Sequence, residues 1–288
     1  MSCFASMNSL VSNEIIQMKS IVLRAIKNFD PEVYYRTSAA SKTSGPTGIA
    51  KEERYDVTLL SESYWDVDRF AHLCRYHIAQ ALFKGKHILD VGCGTGYGVG
   101  VLTNANATTV TGIDISAEAI TYAKGNWGDK ASFIMSSSLY LPFNDESFDV
   151  VTCFEHYEHI AEQMLVLKEI HRVLRPGGYL MISTPNLHNL LMRLKAITHL
   201  RALPKPGPSP RNRFHLREVP SKVFVSEIGS IFRTELVFGQ YIFGLRPLCC
   251  VFDFHPSPAI RRGTRAAILA GFHLPHISGI VVLIGRKI

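Results

Sequence analysis

Two carboxylates and two imidazoles crowd a short segment that reads FEHYEH at positions 154–159. Glu155, Glu158 and His159 are spaced i, i+3 and i+4, which places them on one face if the segment forms a helical turn. Two carboxylates and an imidazole on one face repel or compete for protons unless a cation lies between them. The spacing therefore allows a divalent-metal site. It also allows a metal-free arrangement in which Glu158 and His159 form a hydrogen-bonded capping pair beneath a pocket.

His156 belongs to the same segment but falls on another face of such a turn. We expect it to be exposed or to contact a substrate rather than to bind a metal. If an acceptor group must lose a proton in this region, His159 or His156 could accept it as a general base.

A glycine-rich loop lies upstream of this segment. Residues 88–98 read ILDVGCGTGYG, an apolar strand that runs into Gly92, Gly94 and Gly96 and then into a helical pattern. Glycines at such a point let the backbone approach a ligand closely at a helix N-terminus. A dinucleotide fingerprint needs a third glycine three positions after the second, and this register fails from every starting glycine. We therefore expect a ligand other than NAD.

The pattern acidic-x-Gly-x-Gly-x-Gly, with Asp90 as the acid, resembles the class I S-adenosylmethionine-dependent methyltransferases. The resemblance covers about residues 51–243 and the terminal strand. It rests on five motifs that follow one another along the chain: ILDVGCGTGYG, GIDIS (112–116), LPFNDESFDVV (141–151), RVLRPGGYLMISTPN (172–186) and FHLRE (214–218). It implies S-adenosylmethionine as the cofactor.

The resemblance also implies how that cofactor is held. Asp90 would hold the loop and face the methionine ammonium, and Asp114 would accept both ribose hydroxyls. Ser137 stands where many relatives carry an acid that contacts the adenine amino group, so hydroxyl or backbone groups of Ser137 and Ser138 would take over that contact. Cys93 is expected to be a small loop residue rather than a nucleophile. The complete expected cofactor-binding set is Asp90, Gly92, Cys93, Gly94, Gly96, Asp114, Ile115, Ser137, Ser138, Leu139 and Phe154.

The FEHYEH segment resembles the Glu-x-x-Glu-His signature of two methyltransferase groups, the ubiquinone-biosynthesis O-methyltransferases and the small-RNA terminal 2′-O-methyltransferases. In those groups a downstream histidine completes a divalent-metal site, and His215 occupies the corresponding place. The resemblance implies a site for Mg, Mn or Zn formed by Glu155, Glu158, His159 and His215.

The elements around these motifs predict an α/β fold. Short apolar runs alternate with helical patterns from residue 87, as in a parallel sheet with crossover helices. We expect a doubly wound, seven-stranded, mostly parallel, Rossmann-like sheet with helices on both faces. The predicted strands are 87–91, 109–113, 132–135, 148–153, 179–183, 235–243 and 279–286, and the predicted helices are 10–28, 66–84, 97–105, 117–125, 162–174 and 221–232.

The chain is expected to divide near residue 50. Residues 1–50 would form an N-terminal amphipathic helix and a linker, the latter at 37–48, and residues 51–288 would form the methyltransferase domain. Two substrate-side insertions are expected, at 187–220 and 244–276, and the proline-rich residues 203–213 resemble a lid or surface loop.

Charge is distributed unevenly along the chain. The formal net charge is +7, but residues 1–186 carry −4 and residues 187–288 carry +11. This basic C-terminal cap region favours an anionic small-molecule or glycan acceptor, and nucleic acid is a possible but less favoured partner. Six cysteines without metal-type spacing predict reduced thiols and a cytoplasmic location, and no apolar run is long enough to span a membrane. The sequence gives no signal for the oligomeric state.

These observations favour O-methylation of a hydroxyl group by in-line displacement. N- or C-methylation, RNA ribose 2′-O-methylation and a non-catalytic, cofactor-binding partner subunit remain as alternatives. The sequence does not identify the acceptor, because the insertions that would select it contain no recognisable motif.

Overall fold

The computed structural model describes residues 2–29, 67–103, 109–200, 202–209, 212–240 and 272–288. Its centre is a seven-stranded sheet with the strand order β3-β2-β1-β4-β5-β7-β6. The strands are β1 (His87–Val91), β2 (Thr109–Asp114), β3 (Ser132–Met135), β4 (Phe148–Phe154), β5 (Leu174–Pro185), β6 (Arg233–Gln240) and β7 (Ile280–Arg286).

The first five strands are parallel, and β7 lies antiparallel between β5 and β6. The strand order reverses direction between β1 and β4, which leaves a crevice at the carboxyl ends of these strands. Residues that follow β1, β2 and β4 therefore meet at one edge of the sheet. The expected doubly wound, mostly parallel architecture is confirmed, with one antiparallel hairpin.

Helices cover both faces of the sheet. One face packs against the N-terminal helices and the helices that follow β1 and β2, and the other against the helices that follow β4 and precede β6. The helices are α1 (Ser2–Asn28), α2 (Val67–Leu82), α3 (Tyr97–Thr103), α4 (Ala117–Trp127), α5 (Gln163–Val173), α6 (Leu190–Thr198) and α7 (Ser221–Gly229). Among the described helices, none is long and apolar enough to cross a membrane.

The N-terminal helix α1 packs against α2 and β6. Its side chains Val22, Ile26 and Phe29 are fully buried in the core formed with α2. The helix predicted over 10–28 is therefore present, begins earlier, and belongs to the packing of the domain. The predicted linker at 37–48 and most of the predicted insertion at 244–276 lie outside the described residues.

Two elements differ from expectation. Strand β5 begins at Leu174 rather than at the predicted residue 179, so the run Pro176, Gly177 and Gly178 lies within the strand. There Gly177 has φ +77° and donates its N–H to the Lys287 carbonyl at 2.9 Å. This hydrogen bond keeps the irregular first part of β5 paired with the end of β7. Helix α6 forms inside the insertion at 187–220, and none of its side chains is buried.

Candidate active site

The glycine loop after β1 forms one wall of the site. The N–H groups of Gly92 and Cys93 both donate to the Ile113 carbonyl at 2.9 Å, which fastens the loop to the end of β2. Gly92 has φ +75°, and a Cβ built there would lie 2.6 Å from His156 Nδ1. Glycine is therefore required for both its backbone conformation and the close approach of the imidazole. Cys93 is buried within the loop, as expected for a small structural residue.

Asp114 connects the end of β2 to the glycine loop. Its Oδ2 accepts the N–H of Gly94 at 3.0 Å, and its Oδ1 accepts the N–H of Ser116 at 2.9 Å. These backbone donors hold the carboxylate in one orientation beside the loop. The next residue, Ile115, is 72% exposed, so an apolar side chain adjoins this carboxylate at the surface of the crevice.

Asp90 lies deeper than the sequence suggested. Its side chain is fully buried and accepts hydrogen bonds from Thr152 Oγ1 at 2.6 Å and from the Tyr76 hydroxyl at 3.1 Å. Burial raises the pKa of Asp90 to about 7, although both hydrogen bonds favour its charged form. The carboxylate thus links α2, β1 and β4 at the base of the glycine loop.

The buried Asp90 should make stability depend on pH. An aspartate in the unfolded chain titrates near pH 4, so between about pH 4 and pH 7 the folded state keeps a proton that the unfolded state has released. The free energy of unfolding should therefore fall as the pH rises through this window. Urea denaturation at several pH values measures this fall in the free energy of unfolding. Between about pH 4 and pH 7 the fall should be smaller in Asp90→Asn than in wild type, by on the order of 3 kcal/mol. Parallel pH profiles of the two proteins would contradict this.

His156 is held against the loop after β3. Its Nε2 lies 3.0 Å from Ser138 Oγ, and the Ser137 hydroxyl oxygen accepts the N–H of Leu139 at 3.2 Å. Burial lowers the pKa of His156 to about 4, against the opposing field of Asp114. The lowered pKa disfavours the protonated imidazole at neutral pH, and the ring packs against the glycine loop at Gly92.

A single turn of 3₁₀ helix, Tyr157–His159, carries the acidic and histidine motif. Ligand atoms of Glu158, His159 and His215 lie within 4.8 Å of one another. His215 reaches this turn on a downstream loop that is anchored by the Arg217 N–H, which donates to the Glu158 carbonyl at 3.0 Å. The structure thus brings together three of the four residues expected to bind a metal.

Glu155 is the fourth expected ligand and does not join this group. It has φ +49° and precedes the turn, so the helical spacing that would align it with Glu158 and His159 is broken. Its Oε1 accepts the Ser183 hydroxyl at 2.8 Å and lies 3.7 Å from Arg75 Nη2. The expectation that all three motif residues share one helical face was therefore wrong, because the backbone turns before the helical segment starts.

Neighbouring acceptors orient the two histidines. His159 Nδ1 lies 3.0 Å from the Phe214 carbonyl, and His215 Nδ1 lies 2.6 Å from Glu218 Oε1. With each Nδ1 hydrogen directed at an oxygen, the lone pair of each ring is on Nε2, which is the usual arrangement of metal-binding histidines.

Glu158 is a buried carboxylate with one oxygen that accepts no hydrogen bond from the described residues. It is buried, its Oε2 accepts the Thr184 hydroxyl at 3.0 Å, and its Oε1 has no hydrogen-bond partner among the described residues. Burial and the nearby Glu155 raise the pKa of Glu158 well above its usual value. A bound cation would satisfy this oxygen and favour the charged form, so the three residues fit a divalent metal.

Arg75 is a functional candidate that the sequence reading missed. It is fully buried in α2, its Nη1 donates to Gln240 Oε1 at 2.7 Å, and its guanidinium lies over the Phe154 ring at 5.8 Å. Its Nε and Nη2 have no hydrogen-bond partner among the described residues. The available signal was an arginine within the apolar run 71–79, but an isolated arginine in a helix does not reveal that it points inward.

The comparisons with known proteins agree with this geometry. Residues 89–182 match the family model described as a methyltransferase domain. This region of the chain is similar to a methyltransferase domain. The matched region contains the glycine loop, Asp114 and the 3₁₀ turn, and it ends within β5.

Two curated relatives of this methyltransferase domain illustrate the similarity. A probable S-adenosylmethionine-dependent methyltransferase from Mycolicibacterium smegmatis is 31% identical over 174 residues, which covers 58% of this chain and 58% of the relative. A ubiquinone biosynthesis O-methyltransferase from Aliivibrio fischeri is 32% identical over 142 residues, or 47% of this chain and 60% of the relative. The chain thus spans about six tenths of the length of these relatives.

A solved structure shows the same fold over nearly the whole chain. The protein from Pyrococcus horikoshii superimposes with a TM-score of 0.55 at 19% identity, covering 84% of this chain and all of that one. At this identity the similarity establishes the architecture of the methyltransferase domain and not its acceptor.

Proposed function

We propose that this protein is an S-adenosylmethionine-dependent methyltransferase that methylates a hydroxyl oxygen. The observation that carries the proposal is the link between Gly94 and Asp114, which joins the glycine loop to an oriented carboxylate at the carboxyl edge of the sheet. Each oxygen of Asp114 accepts one backbone N–H, and a carboxylate oxygen can accept more than one hydrogen bond, including one from a ribose hydroxyl. The ribose would lie across the switch point between β1 and β4.

The adenine ring would lie beside the ribose, between apolar side chains. Ile115 is 72% exposed and Met135 is 59% exposed, and they sit at adjacent strand ends because Asp114 pairs with Met135 in the sheet. Two such side chains exposed at neighbouring positions offer faces against which a purine can pack. Ser137 follows Met135 closely and would supply polar groups to the adenine edge.

We propose that Arg75 binds the carboxylate of the methionine part of the cofactor. Nε and Nη2 lack a hydrogen-bond partner among the described residues and form the edge of the guanidinium that binds carboxylates in a bidentate manner. Arg75 stands beside Phe154 and Glu155, where β4 ends. A bound carboxylate would satisfy both buried donors at once.

Replacing Arg75 should therefore weaken binding of only those cofactor forms that carry the carboxylate. Arg75→Met keeps much of the side-chain volume, and we expect the dissociation constant for S-adenosylmethionine to rise more than about tenfold. Decarboxylated S-adenosylmethionine should bind wild type and variant equally, as measured by calorimetry. Arg24→Met, at an exposed position of α1, is the matched control. Equal losses for both ligands would assign Arg75 to the packing of α2 instead.

We further propose that Glu158, His159 and His215 hold a divalent cation on the acceptor side. Two imidazole nitrogens and one carboxylate suit zinc, manganese or ferrous iron better than magnesium. When bound, the cation would supply Lewis-acid polarisation of the acceptor hydroxyl and lower its pKa. The chain itself orients both histidines through Phe214 and Glu218 and keeps Glu158 away from water.

The other contribution of the protein to methyl transfer is to align the two reactants. The acceptor oxygen must approach the methyl carbon opposite the sulfur, and the protein contributes by holding both partners in that line and excluding water. If the acceptor reacts without a cation, His159 is the better general base of the two candidates, since the pKa of His156 is about 4. Metal-independent turnover with a nitrogen or carbon acceptor would favour the alternative reaction classes.

The acceptor is proposed to be an anionic small molecule or glycan. The supporting observation is the charge of residues 187–217, which contain seven Lys and Arg and no Asp or Glu. Incubating the protein with fractionated cell extract and isotopically labelled methyl donor, followed by mass spectrometry, tests this. Label in anionic metabolites or glycans supports the proposal, label in RNA supports the ribose alternative, and no label in any fraction supports a non-catalytic role.

A further inference from the structure

Helix α6 is an element without a buried side chain. It spans nine residues, Leu190–Thr198, in the insertion that follows β5. A helix of this length is not stable in water by itself. Its first turn is held by the Asn189 side chain, which accepts the Met192 N–H at 3.1 Å, and by the Leu190 N–H, which donates to the Ile277 carbonyl at 2.9 Å. Folded helices of this kind usually bury one face against a core. In the described structure, α6 therefore presents its apolar side chains without the burial that normally stabilises a helix.

The exposed apolar side chains of α6 form a stripe that continues to one residue just beyond the helix. We call this set, Leu191, Leu194, Ile197 and Leu200, the α6 stripe. Successive members are three residues apart and so are neighbours along the helix surface. All four are exposed, Ile197 by 70% and Leu200 by 96%. Single exposed leucines are ordinary on a protein surface, but three apolar side chains on one face of a short helix, with a fourth just beyond its end, are not.

Leu200 is unusual in a second way. It has φ +50° just beyond the helix, a position and conformation that glycine normally occupies. A leucine there is conformationally costly and, in water, exposes nearly its whole apolar surface. Both costs would be offset if this side chain is buried in something that covers the α6 stripe.

Charges flank the α6 stripe on both sides. At about 100° per residue, Arg193 and Lys195 fall on opposite edges of the stripe. The surrounding segment 187–217 carries seven basic and no acidic residues. An apolar stripe bordered by cations is the pattern of a helix that lies in the interface of an anionic lipid bilayer.

Other occupants fit less well. A second copy of this chain, docked stripe to stripe, would bring two equally basic segments together. RNA would use the cations, but α6 has no aromatic side chain on which bases could stack, and its aliphatic stripe would stay in water. A lipid surface uses both the cations and the aliphatic side chains.

We propose that α6 is a peripheral membrane-binding element that inserts its apolar stripe into an anionic bilayer surface. The helix leaves the sheet beside the loop that carries His215, since the Leu187 N–H donates to the Val219 carbonyl at 3.2 Å. Membrane binding would thus bring the bilayer to the acceptor side of the molecule. The proposal does not depend on methyl transfer, because vesicle binding requires no cofactor.

The test is sedimentation of the full chain with vesicles of phosphatidylcholine alone or mixed with phosphatidylglycerol. We expect binding to the anionic vesicles, weaker binding at high salt, and little binding to phosphatidylcholine. Ile197→Gln and Leu200→Gln keep the charge and should each lower the partition coefficient on the order of tenfold. Ile16→Gln in α1 and Leu165→Gln in α5 remove exposed apolar side chains elsewhere and should bind like wild type.

Several results would overturn the proposal. These are no binding to anionic vesicles, equal binding by the Ile197 and Leu200 variants, and equal loss in the control variants. A dimer that the stripe variants dissociate, without vesicle binding, would assign the stripe to a second copy. RNA binding that is lost on Lys195→Glu, again without vesicle binding, would assign the basic segment to nucleic acid. Unchanged S-adenosylmethionine binding by each variant verifies that it is folded.

Discussion

Replacing His215 with alanine should lower the turnover number at least about a hundredfold and leave cofactor affinity nearly unchanged. The large effect is expected because His215 supplies one of three potential metal ligands and is itself oriented by Glu218. The cofactor is unaffected because the glycine loop and Asp114 are held by their own contacts. Steady-state kinetics with a labelled methyl donor gives the turnover, and metal analysis after dialysis gives the stoichiometry of bound metal.

Two comparisons separate metal loss from structural damage. His87→Ala removes a histidine at the opposite, amino-terminal edge of β1, where Nδ1 contacts Thr109 Oγ1, and should keep both turnover and metal. Glu218→Gln should retain some metal with reduced affinity, because the amide orients His215 less strongly than the carboxylate. Full turnover after exhaustive chelation, or undiminished metal content in His215→Ala, would return the 3₁₀ turn to a structural role.

Replacing Asp114 with alanine should raise the dissociation constant for S-adenosylmethionine by more than about tenfold and by up to a few hundredfold. The variant loses charge-assisted hydrogen bonds to two ribose hydroxyls, each worth roughly 1.5 kcal/mol or more. It also loses the carboxylate that fixes the Gly94 N–H. Equilibrium dialysis with radiolabelled cofactor measures the change.

Asp114→Asn separates these two contributions. The amide oxygen can still accept one backbone N–H, but the group carries no charge, so binding should fall to an intermediate level. Asp129→Ala, in the turn after α4, is the matched control outside the site. Wild-type affinity in Asp114→Ala would place the ribose elsewhere and remove the main support for the cofactor site.

The parts of this molecule that local patterns determine were predictable from sequence. Strands β1 and β3 have the predicted bounds, since each is an apolar run between turn-forming residues. The glycine loop was predictable because three glycines at alternate positions after a buried strand serve few other purposes. The nearness of His215 to the turn could be expected only through resemblance, since no local pattern relates residues more than fifty positions apart.

The parts that depend on tertiary packing were not predictable. The spacing predicted that Glu155 shares a helical face with Glu158 and His159. Glu155 itself has φ +49°, so the backbone is not helical at this residue. The sequence does not reveal that Tyr76 and Thr152 donate hydrogen bonds to the buried Asp90 carboxylate. Arg75 was overlooked because its buried orientation is set by Gln240, 165 residues away. Such contacts join residues far apart in the chain and produce no periodic pattern in the sequence.

The central claim is that the glycine loop and Asp114 form a site for S-adenosylmethionine, and calorimetric titration of the purified chain tests it most directly. The account predicts that S-adenosylmethionine and its demethylated product each bind at one site per chain and compete with each other, whereas NAD releases no heat of specific binding. Tight binding of NAD that S-adenosylmethionine cannot displace, or no binding of S-adenosylmethionine at all, would contradict the account.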